Sequence, residues 1–117
     1  MLSDHPDRIQ GWHAHVYFDA ARRERALALR ARIATELGER VRIGRFNEGP
    51  VGPHPQGSYE LEIDPAQFGF VLSWLVLNHG GLDLFIHPNT DDGLRDHRDS
   101  ALWLGHMHAL KLDALNE

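Results

Sequence analysis

The sequence contains no cysteine. This absence excludes disulfides and thiolate metal sites, so any bound metal must be held by imidazole and carboxylate groups. Long apolar runs are also missing, since no segment approaches the ~20 apolar residues that a transmembrane helix needs. The first ten residues have neither the basic start nor the apolar stretch of a signal peptide. We therefore expect a cytoplasmic protein without a membrane partner.

Basic residues are in the minority. Twelve Lys and Arg against seventeen Asp and Glu give a formal charge of −5. Such a chain repels phosphate backbones and has no broad basic surface, so we expect no nucleic-acid partner. The 117 residues, 42% hydrophobic and 25% charged, have the size and composition of one globular domain over 1–117.

Histidine, by contrast, is abundant. The nine histidines matter because imidazole is the commonest protein ligand for transition metals and the commonest general acid or base. Two of them lie in a segment of strict alternation from Trp12 to Phe18, which predicts a first strand. His13, His15 and Tyr17 face one side of this strand, and Ala14, Val16 and Phe18 face the other.

The remaining patterns predict two helices and three more strands. A helix capped by Asp19 precedes a strand over 40–46, and a strand over 58–64 precedes a helix that Asp64, Pro65 and Gln67 begin as a capping box. That helix ends near Asn78, and a last strand follows over 82–88. The order βαββαβ predicts an α+β, ferredoxin-like fold, with a four-stranded antiparallel sheet and two helices on one face. Residues 1–10 would be an N-terminal extension and residues 88–117 a polar loop and an arm.

In this fold the polar strand positions share the face away from the helices. They are His13, His15, Glu60, Glu62 and His87. His13 and His87 should be neighbours, because facing residues of paired strands have Cβ atoms roughly 4.5–5.5 Å apart. Imidazoles with one carboxylate suit Fe(II), Zn, Mn or Cu(II). The alternative is that these side chains line a wet sheet face or a dimer interface and bind nothing.

Two further histidines lie in predicted loops. His54 sits between prolines that could hold its ring over the sheet, although such a segment is also an ordinary connector. His97 follows Asp96, and a carboxylate near an imidazole can raise its pKa or fix its tautomer; a solvated charged loop is the alternative. The other histidines are left outside the predicted site: His5, His79, His106 and His108.

Four blocks in order resemble one known family. They are WHAHVYFD, GPVGPHPQGSYE, WLVLNHGGLDLFIHPNT and DHRDSALWLG, and they extend from Trp12 to Gly105. Together they are similar to the DOPA 4,5-dioxygenase family of small fungal and bacterial proteins. The resemblance implies a ferredoxin-like extradiol dioxygenase that opens a catechol ring with O2, with DOPA or a related catechol as substrate. The chain departs from the pattern at Asn47, where relatives often have histidine.

The resemblance also suggests roles for individual residues. The histidines within the matching blocks are His13, His15, His54, His87 and His97. We assign His13, His15 and His87 to a metal, expected to be Fe(II) with Zn or Mn as alternatives, and Glu60 to ligation or to orienting a ligand. His54 is the preferred acid or base and His97 a second catalytic candidate, because an imidazole pKa of about 6.5 suits proton transfer at neutral pH. Arg42 or Arg45 would bind a substrate carboxylate.

Two other functions compete with the dioxygenase. The same histidines could hold Zn in a metal-binding domain without this activity. Alternatively, the polar sheet face could pack against a second copy as a dimerisation module. A homodimer is also expected for the dioxygenase, because a second copy is a common way to cover the open face of such a sheet.

Overall fold

A computed structural model describes residues 4–116 of the chain. Its strands are β1 (Gly11–Phe18), β2 (Arg42–Ile43), β3 (Gly57–Ile63), β4 (Asp83–Asn89) and β5 (Leu102–Leu104). Its helices are α1 (Arg23–Glu36), α2 (Phe68–Asn78) and α3 (Gly93–Arg98). All strand pairs are antiparallel, in the order β2-β3-β1-β4-β5. The first four strands have the ferredoxin-like order, which confirms the predicted fold.

The sheet has five strands, so the predicted number of four is wrong. The fifth strand comes from the segment over 88–117 that was predicted as a loop and an arm. Leu102 pairs with Ile86 and Leu104 with Leu84 along the free edge of β4. An edge strand has unpaired backbone groups, and a short apolar segment that reaches it can satisfy them. Three residues are too few to show alternation in the sequence.

The hydrophobic core lies between the sheet and helices α1 and α2. Ala14 and Val16 of β1 face it and are fully buried, as the alternation predicts. The first helical segment begins where Asp19 accepts a hydrogen bond from the backbone N–H of Arg22 at 3.0 Å. Three 3₁₀ residues, Ala20–Arg22, precede α1 itself. The apolar faces of the two helices are buried on the sheet through Ala26, Leu29, Ile33, Val71 and Leu75.

Three local expectations are corrected. The strand predicted over 40–46 is only two residues long. Beyond it, the backbone N–H of Gly44 donates to the Glu60 carbonyl, and Asn47 forms an isolated bridge to Ser58 through two backbone hydrogen bonds. The capping box at α2 does not form, because Asp64 makes no side-chain cap and the side-chain Oε1 of Gln67 accepts from Arg40 Nη1 at 2.7 Å. The polar segment before β5, predicted as a loop, contains α3, which Asp92 caps by accepting from the N–H of Arg95.

The opposite face of the sheet is covered in part by α3 and by the chain after β5. The ring of His97 in α3 packs against that of His87 in β4, at an interplanar angle of 35°. The backbone N–H of Lys111 donates to the Pro53 carbonyl at 2.8 Å, which ties the C-terminal segment to the loop before β3. Of the predicted N-terminal extension, residues 1–3 lie outside the described residues, and Gln10 donates its backbone N–H to the Asn89 carbonyl at 2.8 Å. Among residues 4–116, no helix has the length and apolar character to cross a membrane.

Candidate metal centre

Three histidines converge on the sheet face away from α1 and α2. His13 lies directly opposite His87 in the register of β1 and β4, and His15 lies two residues further along β1. One ring nitrogen from each of the three lies within 4.8 Å of the others. The Nε2 atoms of His15 and His87 are 3.2 Å apart. The predicted proximity of His13 and His87 is thus confirmed.

Burial keeps two of these imidazoles neutral. His15 and His87 are only 5% and 1% exposed. Burial, followed by the nearby His54 and His87 rings, holds the pKa of His15 well below its ordinary value. Burial likewise lowers the pKa of His87 to about 3, against a smaller opposing effect of the Pro88 carbonyl. Metal binding requires a neutral imidazole, so both rings are in the form that binds a metal at neutral pH.

The tautomer of His87 is fixed by the backbone carbonyl of the next residue, Pro88. Its Nδ1 lies 2.9 Å from the Pro88 carbonyl oxygen, which can only accept, so the ring proton is on Nδ1. This leaves the Nε2 lone pair directed at the cluster. His13 is arranged in a similar way, since its Nδ1 lies 3.2 Å from Glu60 Oε1. Metal-binding histidines usually donate their second N–H to a carbonyl or carboxylate, and two of the three rings have this partner.

The donor set fits a transition metal. Two nitrogen ligands at roughly 2.1 Å from one ion, at angles of about 90–109°, lie ~3.0–3.4 Å apart. The separation of 3.2 Å between His15 Nε2 and His87 Nε2 falls within this range. Three nitrogens without sulfur suit Fe(II), Zn or Mn.

A second group of ligand atoms overlaps the first. His13, Glu60 and Glu62 also lie within 4.8 Å of one another, but all three are only half-buried. Glu62 is engaged elsewhere, because Arg42 Nη2 donates to its Oε1 at 2.6 Å. The contact between Glu60 and His13 Nδ1 favours Glu60 as the residue that orients His13, with the three histidines as the ligand set.

His54 reaches the cluster from the loop before β3. Its ring centroid is 4.2 Å from that of His15, and its Nδ1 lies 2.7 Å from the hydroxyl of Tyr17. Burial, with smaller effects of His97 and His13, lowers the pKa of His54 to about 4. The ring is therefore neutral at physiological pH. Burial also raises the pKa of Tyr17, so its hydroxyl stays protonated.

His97 reaches the cluster from α3. Its ring centroid lies 4.0 Å from that of His87, and its Nδ1 donates to the Gly93 carbonyl in the same helix at 2.6 Å. The carboxylate of Asp96 does not set this tautomer, because it is buried and accepts from the N–H and the hydroxyl of Thr90 at 2.7 Å each. The interpretation in which Asp96 acts on His97 is wrong, since consecutive helix residues point in different directions. The alternative of a solvated charged loop is also wrong, because Asp96 lies in α3 and is only 3% exposed.

The two arginines lie outside the histidine cluster. Arg42 lines a cavity of about 270 Å³ together with His13, Glu62 and Asp64. Its guanidinium is paired with both of those carboxylates, at 2.6 Å and 3.2 Å. Arg45 is exposed and is not among the residues that line this cavity.

The sequence interpretation missed a layer of side chains beside the cluster. Alternation places Phe85 and Tyr17 on the histidine face of the sheet, but it does not show that both are almost completely buried there. His108, which was left outside the site, packs edge-on against Tyr17 at 5.2 Å and binds Asp83 Oδ2 through its Nε2 at 2.8 Å. Its position depends on the course of the C-terminal segment, which the sequence pattern does not show.

Comparison with known proteins decides the family. The family model described as the Dopa 4,5-dioxygenase family matches residues 12–114. The chain belongs to this family. It is 38% identical over 111 residues to a DOPA 4,5-dioxygenase from Amanita muscaria, a match that covers 89% of this chain and 49% of that protein. An uncharacterized 21.2 kDa protein from Botryotinia fuckeliana is also 38% identical, over 84% of this chain and 59% of that protein.

These curated relatives are longer than the present chain, which spans about half of their length. A solved structure of similar size is known from Nostoc punctiforme. It is described as a "putative dioxygenase", is 42% identical to this family member and has a TM-score of 0.92. The match covers 97% of this chain and 96% of that one, so the two chains share one fold over nearly their whole length.

Proposed function

We propose that this chain is an extradiol dioxygenase that opens the ring of DOPA or a related catechol with O2 at a histidine-bound non-haem metal. The observation that carries the proposal is the convergence of three imidazoles, two of them buried and neutral, on one point of the sheet face. The family, and the relatives named for dioxygenase activity, support the reaction class.

His13, His15 and His87 would hold the metal, and Glu60 would orient His13 through Nδ1. When bound, Fe(II) would supply a centre that takes the catechol oxygens and O2 side by side and lets electrons pass between them. Fe(II) is the metal we propose, with Zn or Mn as alternatives that the same donors accept.

His54 and His97 would transfer protons to or from the substrate and form hydrogen bonds with it beside the metal. Each ring packs at a tilt against one ligand ring, His54 on His15 with centroids 4.2 Å apart and His97 on His87 with centroids 4.0 Å apart. A catechol hydroxyl must lose its proton for ring opening, and an imidazole within reach is the usual partner for such a transfer. His54 remains our preferred acid or base.

The substrate would approach from the side of His13, where the cavity of about 270 Å³ opens. Arg42 would bind a substrate carboxylate there, in exchange for part of its pairing with Glu62 and Asp64. Arg45 is the second candidate for this contact and lies at the same sheet edge. A homodimer and a cytoplasmic location stay predictions; light scattering of the purified protein and fractionation of the source cells test them.

The experiment is anaerobic purification, loading with Fe(II), and measurement of O2 uptake and of the absorbance of the ring-opened product with DOPA, caffeate, protocatechuate and catechol. We expect uptake of one O2 per catechol consumed, and none in the double variant His15→Ala/His87→Ala. Protein loaded with Zn is the matched control, because Zn does not change its oxidation state. If the iron-loaded protein binds metal at the histidines but consumes no O2 with any catechol, the chain is a metal-binding domain without this activity.

A further inference from the structure

We propose that Tyr17 is a positioning residue that holds His54 as its Nε2–H tautomer, so that His54 meets an oxygen atom at the metal centre as a hydrogen-bond donor rather than as a base. This inference rests on the proposed function and narrows the assignment of His54 as acid or base.

The hydrogen bond between Tyr17 and His54 has only one direction that satisfies both groups. The hydroxyl and His54 Nδ1 are 2.7 Å apart, and Tyr17 is 1% exposed. If His54 donated through Nδ1, the Tyr17 hydrogen would need another acceptor. No other partner of this hydroxyl occurs among residues 4–116, and burial excludes solvent as a substitute. The phenol therefore donates and Nδ1 accepts.

This direction settles where the proton of His54 lies. A neutral imidazole carries one ring proton, so a lone pair on Nδ1 places the proton on Nε2. Within residues 4–116, the imidazole ring of His54 has no hydrogen-bond partner besides Tyr17, while its backbone N–H donates to the Val51 carbonyl at 3.1 Å. Its Nε2–H is thus available to a ligand, and the His54 ring as a whole lies beside His15, with the two ring centroids 4.2 Å apart.

Tyr17 is itself held from two sides. His108 packs edge-on against its ring at an interplanar angle of 89°, and Trp103 does so from β5 at 70°. His108 is fixed by the carboxylate of Asp83, which lies opposite Tyr17 in the register of β1 and β4. The phenol cannot swing away from His54 without moving β5 or the segment after it. Such rigid support is what keeps a group that acts on a substrate in one orientation.

The tautomer is tested in the metal-free protein by 15N NMR of histidine-labelled samples. For His54 we expect Nε2 to have the chemical shift of a protonated ring nitrogen and Nδ1 that of an unprotonated one. In Tyr17→Phe this pattern should be lost, with both nitrogens at intermediate shifts. The matched control is Tyr59→Phe, which removes the other buried tyrosine hydroxyl, a donor to the Ala26 carbonyl at 2.9 Å on the core face. It should leave the His54 pattern intact.

The same variants separate this inference from the proposed function. With Fe(II) loaded, Tyr17→Phe should lower kcat by roughly 10–100-fold, part of the usual effect of a positioned acid, with KM and metal content near wild type. A wild-type spectrum with the proton on Nδ1 overturns the inference even if Tyr17→Phe does not fold. Tyr17→Phe with a changed tautomer but unchanged kcat overturns it as well. If wild-type protein has the expected tautomer but no dioxygenase activity, the proposed function fails and the tautomer assignment stands.

Discussion

His13 and His87 face each other across β1 and β4, with ring centroids 5.2 Å apart and planes at 70°. Antiparallel pairing places the two residues in register, so their approach is a property of the sheet and not of a loop. His15, two residues on, adds the third imidazole at 5.2 Å from the ring of His87. The sheet thus presents one nitrogen from each of three rings to the same region, within 4.8 Å of one another.

Glu60 should control metal affinity through His13. Glu60→Ala removes the carboxylate 3.2 Å from His13 Nδ1 and should weaken metal binding by about 10–100-fold, as loss of a partner of a ligand usually does. Glu60→Gln keeps an acceptor and should restore part of the affinity. Isothermal titration under anaerobic conditions measures both dissociation constants.

Glu62→Ala is the matched control for Glu60. Glu62 shares the same strand face but pairs with Arg42, so its loss should leave metal affinity almost unchanged. An equal loss in both variants would mean that His13, Glu60 and Glu62 form the true metal site.

Metal removal should destabilise the native protein. A ligand that binds only the folded state at 100 times its dissociation constant adds about 2.7 kcal/mol to the free energy of unfolding. Chelation should therefore lower the Tm of iron-loaded protein by several degrees. His15→Ala should show no such shift on chelation, since it lacks a central ligand. Differential scanning calorimetry under argon measures the change, and an equal shift in His15→Ala would place the metal elsewhere.

Gly105 is required where the chain turns after β5. Its φ is +80°, and a Cβ there would overlap Asp83 Oδ1 and approach the Leu82 carbonyl oxygen to 3.2 Å. Gly105→Ala should lower the free energy of unfolding by about 1–3 kcal/mol, because both the backbone conformation and the contact oppose it. Urea unfolding checks this value.

Gly69→Ala serves as the control for Gly105. Gly69 lies in α2 with open space around its Cβ position. Alanine there should raise stability by about 0.5–1 kcal/mol through helix propensity. A loss of similar size in both variants would show that the close approach to Asp83 is not the cause.

The Asp83 carboxylate should stabilise the fold at neutral pH, and this contribution to the free energy of unfolding should be lost in acid. Burial alone would raise its pKa, but hydrogen bonds from the backbone of His106 and from the His108 and His106 rings outweigh it and lower the pKa below the ordinary value. The unfolded chain then binds the proton more readily, so the stabilisation is complete above about pH 4 and is lost as the pH falls through the folded-state pKa. Urea unfolding of wild type and Asp83→Asn from pH 7 to pH 3 should show a difference that shrinks in acid. A constant difference would contradict this.

Much of the fold could be predicted because its signals are local. Short stretches of sequence show the alternation of β1, β3 and β4 and the apolar faces of α1 and α2. The βαββαβ order follows from these elements. The strand β5 has only three residues, and what places it is the free edge of β4, which no local pattern records. The capping box fails for a similar reason, since the guanidinium of Arg40, from another part of the chain, donates to the side-chain Oε1 of Gln67.

The candidate site also has a part that local sequence patterns predict and a part that depends on the tertiary structure. The common face of His13, His15 and His87 follows from the two-residue repeat of a strand and the pairing of β1 with β4. His54 and His97 come from a loop and a short helix, so their approach to the cluster needed the tertiary structure. The contact of Tyr17 with His54 joins positions 37 apart in the sequence, and that of His108 with Asp83 joins positions 25 apart. Neither contact leaves a sequence signal.

The histidine metal site is tested most directly by an anomalous difference map from crystals grown anaerobically with Fe(II), collected at the iron absorption edge. We expect one peak per chain at roughly 2.0–2.3 Å from a ring nitrogen of each of His13, His15 and His87. A peak bound by Glu62 and not by His15, or no peak at the three histidines in crystals that contain iron, would contradict it.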